Sequence, residues 1–419
     1  MAHSLKRATV KIDILTLLAF MITARLCCPA LSNLPFFSIT FTFLYGLAFI
    51  GLYFLSRPKI SRQELTIITV AIFYTLYAVI QSLIANTGIF STEAFNSYVI
   101  VFFLFISIWA KNKPSKTQSA LLILIFLALL FNYTYSIYVL RLDPSASRTA
   151  AATSVLEKSE YDVLSAVGSY DLVYGSIFIV LILLYMYTIL EKRTFRRLVP
   201  LAISLLAINF IIMAAYATAI VLLIFAMALY FGERNKIVSI LLILAAVLLI
   251  IFHEAVGQWL IDLAPSLKSS KMLRLKVNDL GEMIKDFEAS GTYEGDSGRA
   301  DRMRWSWQTF IQHPIFGGYA VKGAKIGTHS EFLDTLGRFG LVGFTALVLL
   351  FFNIYKHLMA TLQTKPMRNC TRIVFLVYIT TSILNPALFT LQVMPIILML
   401  PLAESFCRLE PLPGKDETP

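Results

Sequence analysis

"LVPLAISLLAINFIIMAAYATAIVLLIFAMALYF" runs from Leu198 to Phe231 without a single charged residue. As one straight helix these 34 residues would extend roughly 50 Å at about 1.5 Å per residue, against a hydrocarbon core of about 30 Å. A stretch that long has to fold back. Its flanks, EKRTFRR on one side and GERNK on the other, are both basic. Basic loops prefer the cytoplasm, so both ends belong on the same face. Two crossings with a tight outer turn near Ala215–Ala217 meet both conditions, and they set the class of the whole chain as a bundle of membrane-crossing helices.

Working outward, the composition agrees. The 419 residues are 58% apolar and 15% charged, with a mean hydropathy of +0.73. In lipid only helices and closed barrels satisfy every backbone group, and apolar runs near 20 residues select helices. The expected fold is therefore all-α and polytopic, with about twelve spans near 12–31, 35–55, 65–85, 94–110, 118–140, 170–190, 198–213, 216–231, 237–253, 334–354, 373–388 and 391–406. The basic start MAHSLKRATVK leads into a retained first helix rather than a cleaved signal, because many spans follow. This threading puts 21 of the 36 Lys and Arg residues into loops on one side, so both termini are expected in the cytoplasm. Three regions follow: 1–253 holds nine helices and an outer loop at 141–168, 254–333 is a large outer loop, and 334–419 holds the last three helices and a tail. Cys27, Cys28, Cys370 and Cys407 show no metal-ligand or disulfide spacing and read as packing residues.

Most remaining basic residues lie in the two long outer segments, where the inside bias does not account for them. They fit an anionic ligand, or simply long loops that translocate regardless of charge. Within the second segment, SGRADRMRWSWQTFIQHP (Ser297–Pro314) reads as an amphipathic helix that starts after Gly298 and stops at Pro314. At 100° per residue, Arg299, Met303, Trp307 and Phe310 share a face, Arg302 lies about 60° away and Arg304 lies on the far side. Arg299 and Arg302 can address one anion, since a planar guanidinium donates two parallel hydrogen bonds to phosphate oxygens. A surface helix with snorkelling arginines beside Trp305 and Trp307 fits the same spacing. The connector IFGGYAVKGAKIG (Ile315–Gly327) carries Lys322 and Lys325 and lets backbone N–H groups approach a ligand, but without GK[ST] it is no nucleotide loop.

Thr328-His329-Ser330-Glu331 then fits a capping box, with Thr328 as N-cap and Glu331 three residues on. His329 would sit in the first turn of a helix entering the membrane, where the helix dipole disfavours imidazolium and keeps a neutral base near pH 7. A purely structural histidine at a helix start fits the same residues. His313 and His253 read instead as helix-end and interfacial residues. Glu331 and Asp334 can orient His329 or bind sugar hydroxyls, and Asp334 is also spaced to pair with Arg338 one turn on. Arg25, near the outer end of the first helix, stays outside the core site. No Asp-x-Asp pair, Walker motif, HExxH or GxSxG occurs, so neither a metal nor a cofactor is expected, and nucleic acid is not expected as a partner.

SGR at Ser297–Arg299, HPIFGGY at His313–Tyr319 and THSEFLDTLGRFGLVG at Thr328–Gly343 together resemble the superfamily of O-antigen ligases and O-antigen or capsular polysaccharide polymerases. The motif likeness covers 297–343, and the twelve-helix layout with one large outer loop extends it over the chain. The resemblance implies a GT-C-like membrane glycosyltransferase of a bacterial inner membrane. It would move a glycan from undecaprenyl diphosphate to an acceptor hydroxyl on the periplasmic face, with inversion, without metal or cofactor, and with a chain-length regulator as a candidate partner besides the lipid bilayer. It implies that Arg299 holds the donor diphosphate and that His329 activates the acceptor hydroxyl. Many relatives carry an arginine at the outer turn of the tight hairpin, whereas this chain has AAYATA at Ala214–Ala219. The second contact then falls to Arg302 or to Arg148 of the first outer loop. Ser330, where ligases often have asparagine, and the LGRFGLVG run favour a polymerase over a ligase. A transporter of lipid-linked anions is the reading from another class; no inverted repeat and little mid-membrane charge support it.

Overall fold

The computed structural model describes residues 13–151, 167–190, 195–233, 235–266 and 299–408, together with 274, 277, 278 and 281. The regular structure among the described residues is helical. In chain order the helices are α1 (Ile14–Cys27), α2 (Ile39–Leu55), α3 (Arg62–Ile84), α4 (Thr92–Lys111), α5 (Ser115–Leu142), the short α6 (Ala146–Ala151), α7 (Tyr170–Ile189), α8 (Leu198–Ala214), α9 (Ala217–Gly232), α10 (Lys236–Ile251), α11 (His253–Leu263), α12 (Arg299–Gln312), α13 (Glu331–Thr361) and α14 (Lys365–Leu384). The last, α15 (Thr390–Arg408), contains a π-helical turn at Pro395–Met399. Each expected span coincides with one of them. By length and composition α3, α4, α5, α7, α13 and α15 can cross a membrane, while α1, α2, α8, α9 and α10 are shorter apolar helices.

Local sequence explains most of the boundaries. Ser61 and Glu64 form a reciprocal capping box at α3, and Ser38, Ser91, Asn235 and Thr364 cap α2, α4, α10 and α14 with their side chains. The uncharged 34-residue stretch does fold back: Ala215 takes a left-handed conformation (φ 55°), Tyr216 is extended, and α9 starts at Ala217. His253 opens α11 rather than closing a span, because α10 ends before Phe252.

Burial sorts the helices into layers. α4, α7 and α15 form the centre, with 78%, 83% and 78% of their apolar windows inside the bundle, as expected for helices that are hydrophobic all round. By contrast α10 exposes Ile237, Ile240, Leu241, Leu244 and Ile251, an outward apolar surface suited to lipid. The four cysteines are buried and none takes part in a disulfide.

The site depends on α13, which packs against α3 on one side and α12 on the other. The span expected at 334–354 is part of a longer helix with a break, because Gly340 stands at φ 61°, ψ −164°. The 314–319 connector plugs that break. Leu341 and Val342 donate their N–H groups to the carbonyls of Pro314 and Ile315 (2.8 and 3.1 Å), and Gly318 and Tyr319 donate to Gly337 and Arg338 (2.8 and 3.2 Å). From α3, Tyr77 Oη lies 2.8 Å from the Phe316 carbonyl and 3.1 Å from that of Phe339. The glycine-rich connector therefore commits the amides of Gly318 and Tyr319 to α13, not to a ligand. A Cβ at Gly340 would collide with the Ile315 carbonyl oxygen, so both conformation and space demand glycine there.

Candidate active site

α12 is described from Arg299 and ends at Gln312, just before Pro314, where the sequence predicts its end, while Ser297, Gly298 and the Arg299 side chain lie outside the described residues. The face that α12 packs is not the one that carries Trp307. Trp307 is 45% exposed, whereas Ser306 and Thr309 are 0% and 3% exposed. Polar bonds decide this. Ser306 Oγ donates to Asp334 Oδ1 (2.5 Å) and accepts from the Gly327 N–H (2.8 Å), and Thr309 Oγ1 donates to the Lys325 carbonyl (2.8 Å). Such a helix docks through satisfied buried hydroxyls rather than through its aromatic edge. Arg302 lies one turn before Ser306, and Arg299 opens the same helix. At this crossing a Cβ on Gly327 would collide with the Arg302 carbonyl oxygen, so the Arg302 backbone and the loop two residues before His329 touch directly.

The expected capping box is not what forms. Ser330 is the N-cap of α13, its Oγ accepting from the Leu333 N–H at 3.3 Å, and Glu331 is the first helical residue. Thr328 sits ahead of the helix at φ 59°, so His329 precedes the cap instead of lying in the first turn. The Asp334 carboxylate takes both amides that flank His329. Its Oδ1 accepts from the Thr328 N–H (3.1 Å) and its Oδ2 from the Ser330 N–H (3.0 Å), which draws the backbone on both sides of His329 back over the helix start. His329 itself is half-buried.

Glu331 is buried and binds elsewhere than expected. It accepts from Thr335 Oγ1 (2.9 Å) and from the Ala387 N–H (3.0 Å), while its own N–H donates to the Asn385 carbonyl (3.1 Å). Tyr170 donates its hydroxyl to Asn385 Oδ1. The start of α13 is thus tied to α7 and to the α14–α15 connection. Arg338 does not take Asp334 as its ion-pair partner. Its Nε lies 3.7 Å from Glu93 Oε1, both side chains being largely buried, and Tyr319 donates to Glu93 Oε2 at 2.8 Å. Burial raises the Tyr319 phenol above its ordinary pKa; the Thr87 hydrogen bond opposes the rise and the Glu93 carboxylate adds to it.

The other candidates spread out. Arg304 is 67% exposed beside Asp301 at 3.6 Å, Lys322 is exposed, and Lys325 Nζ sits 5.2 Å over the Trp305 ring. Arg148 belongs to α6, whose Ser147 carbonyl accepts from Tyr216 Oη (3.2 Å) at the α8–α9 turn. Arg25 donates from Nε to the Phe37 carbonyl (2.6 Å) and braces the loop after α1. The structure therefore joins α12, which carries Arg299 and Arg302, to the His329 loop and to Asp334, and leaves Lys322 on the surface. Sequence reasoning missed Ser306, Asn385, Tyr170 and Glu93. Of these only Ser306 left a local signal, a small polar residue one turn after Arg302 between two tryptophans.

No curated protein matches the chain. Residues 213–348 match the model of the family described as O-antigen ligase. That stretch runs from the end of α8 through α12 and most of α13, and it contains Arg299, Arg302, His329, Glu331, Asp334 and Arg338. With an all-helical polytopic fold around it, the stretch that carries Arg299, Arg302 and His329 is similar to the O-antigen ligase family, which supports a likeness to the superfamily of O-antigen ligases and polymerases.

Proposed function

We propose that the protein is an O-antigen or polysaccharide polymerase, joining a glycan carried on undecaprenyl diphosphate to a hydroxyl of a lipid-linked repeat unit at the periplasmic face of the inner membrane. The observation that supports this most is the contact of α12 with the His329 loop, where the Arg302 backbone meets Gly327. It brings the helix bearing two guanidinium groups within two residues of an imidazole. In the reaction, His329 takes the proton of the acceptor hydroxyl as its oxygen attacks the anomeric carbon. The bond from that carbon to the diphosphate oxygen breaks, the configuration inverts, and Arg299 and Arg302 balance the charge that develops on the leaving diphosphate. Arg148 lies beside the contact between α6 and the hairpin turn in sequence, and we assign it the position of a further diphosphate contact.

Transfer to lipid A-core, a ligase reaction, is the second reading, and the family match supports both alike. The two differ in acceptor alone. Lipopolysaccharide from a deletion strain, compared with rescue by wild type and by His329→Gln at matched membrane levels, separates them. A core bearing one repeat unit, not restored by His329→Gln, is the expected result. Bare core with polymer stranded on undecaprenyl diphosphate would establish the ligase, and an unchanged ladder would remove both.

A further inference from the structure

We propose that Asp334, working with Ser306, is the positioning residue of the site: it sets the backbone that carries His329 and touches no substrate. This deepens the reading above and rests on it for the role of His329.

Four observations carry it. Asp334 and Ser306 are 1% and 0% exposed, so neither side chain is open to a ligand. The carboxylate accepts from Thr328 N–H on Oδ1 and from Ser330 N–H on Oδ2, the two amides that flank His329, and Oδ1 also accepts from Ser306 Oγ. Ser306 Oγ in turn accepts from Gly327 N–H. The amides of Gly327, Thr328 and Ser330 thus all end on one buried pair of side chains. Finally, Thr328 is β-branched yet held at φ 59°, a conformation such a residue adopts only when its surroundings impose it.

The pair also couples the two halves of the site. Ser306 belongs to the helix of Arg299 and Arg302, and Asp334 belongs to the helix that follows His329. Charge-assisted bonds from amides to a carboxylate are the strong kind, so the imidazole is fixed relative to α12 by short links at both ends of its loop. Asp334→Asn replaces one acceptor oxygen with an N–H group facing an N–H or O–H donor, which removes the clamp while keeping the volume.

The test uses the full-length protein in detergent. Diethyl pyrocarbonate modification is followed histidine by histidine by peptide mass spectrometry, across pH, in wild type, Asp334→Asn, Ser306→Ala and Thr328→Gly. The expected result is a change of about threefold or more in the His329 rate, or a shift in its titration, in Asp334→Asn and Ser306→Ala, with His313 and His357 unchanged. Glycan joining in the deletion strain should fall about tenfold to a hundredfold in Asp334→Asn, with no further loss when Asp334→Asn is added to His329→Gln. Thr328→Gly should fold normally and still alter His329, since it relieves the strain but frees the loop. Wild-type His329 reactivity in Asp334→Asn would overturn the proposal, whatever happens to activity. Equal changes at all three histidines would overturn it too, by showing general loosening. If His329→Gln retains full joining, the glycosyl-transfer reading fails while the reactivity comparison still judges the clamp.

Discussion

At the scale of single residues, the arginines of α12 are not equivalent. Arg304 is solvated beside Asp301, whereas Arg302 shares the docked side of the helix with Ser306. A lysine carries the charge of an arginine without its planar fork. Arg299→Lys should therefore lower glycan joining about tenfold at unchanged protein level, while Arg304→Ala should leave it at wild-type level. Product measured at matched membrane amounts checks both, and an equal loss in the two variants would contradict the assignment. The sequence singles out His329 as a candidate because it lies between an N-cap candidate, Thr328, and Glu331 in an apolar chain. Its place relative to the helix was not legible there. A capping box counts only residues three apart, and the group that won the Thr328 and Ser330 amides is the Asp334 carboxylate one turn into the helix.

At the scale of elements, the broken helix α13 is the feature that places the site. Its open turn shares four backbone hydrogen bonds with the 314–319 connector, so the connector fixes the height of α12 against α13. Gly340→Ala drives a Cβ into the Ile315 carbonyl oxygen in a conformation reserved for glycine. We expect it to cost about 2–4 kcal/mol, read as a lower unfolding temperature in detergent with loss of joining activity. A variant as stable as wild type would mean that the break is not required. The LGRFGLVG run showed its glycines in the sequence. That one of them breaks the helix was not readable, because the partner carbonyls belong to Pro314 and Ile315, far upstream in the chain.

At the scale of the molecule, the part of α13 beyond its break at Gly340, residues 341–361, is about 31 Å long at 1.5 Å per residue, close to the thickness of a hydrocarbon core of about 30 Å. Its two ends are therefore expected at opposite faces, with His329 ahead of one and His357 near the other. By the charge count the His329 end is expected outside. Lys322→Cys should react with a membrane-impermeant maleimide on intact spheroplasts, and Lys365→Cys only after permeabilisation. Both positions are exposed, and the buried native cysteines contribute little background. The reverse pattern would invert the topology.

What the sequence by itself determined is the part set by solvent: an apolar, uncharged 34-residue stretch between basic flanks must become a hairpin in lipid, and the same reasoning places a helix at each expected span. Tertiary structure alone decided the site's inner wiring. Asp334 with the His329 loop and Ser306, Arg338 with Glu93, and Glu331 with Ala387 are choices among several partners that one-dimensional spacing leaves equally near. Hydropathy is a sum over a segment and survives in the sequence, whereas a buried hydrogen bond is decided by a few tenths of an ångström between residues far apart in the chain.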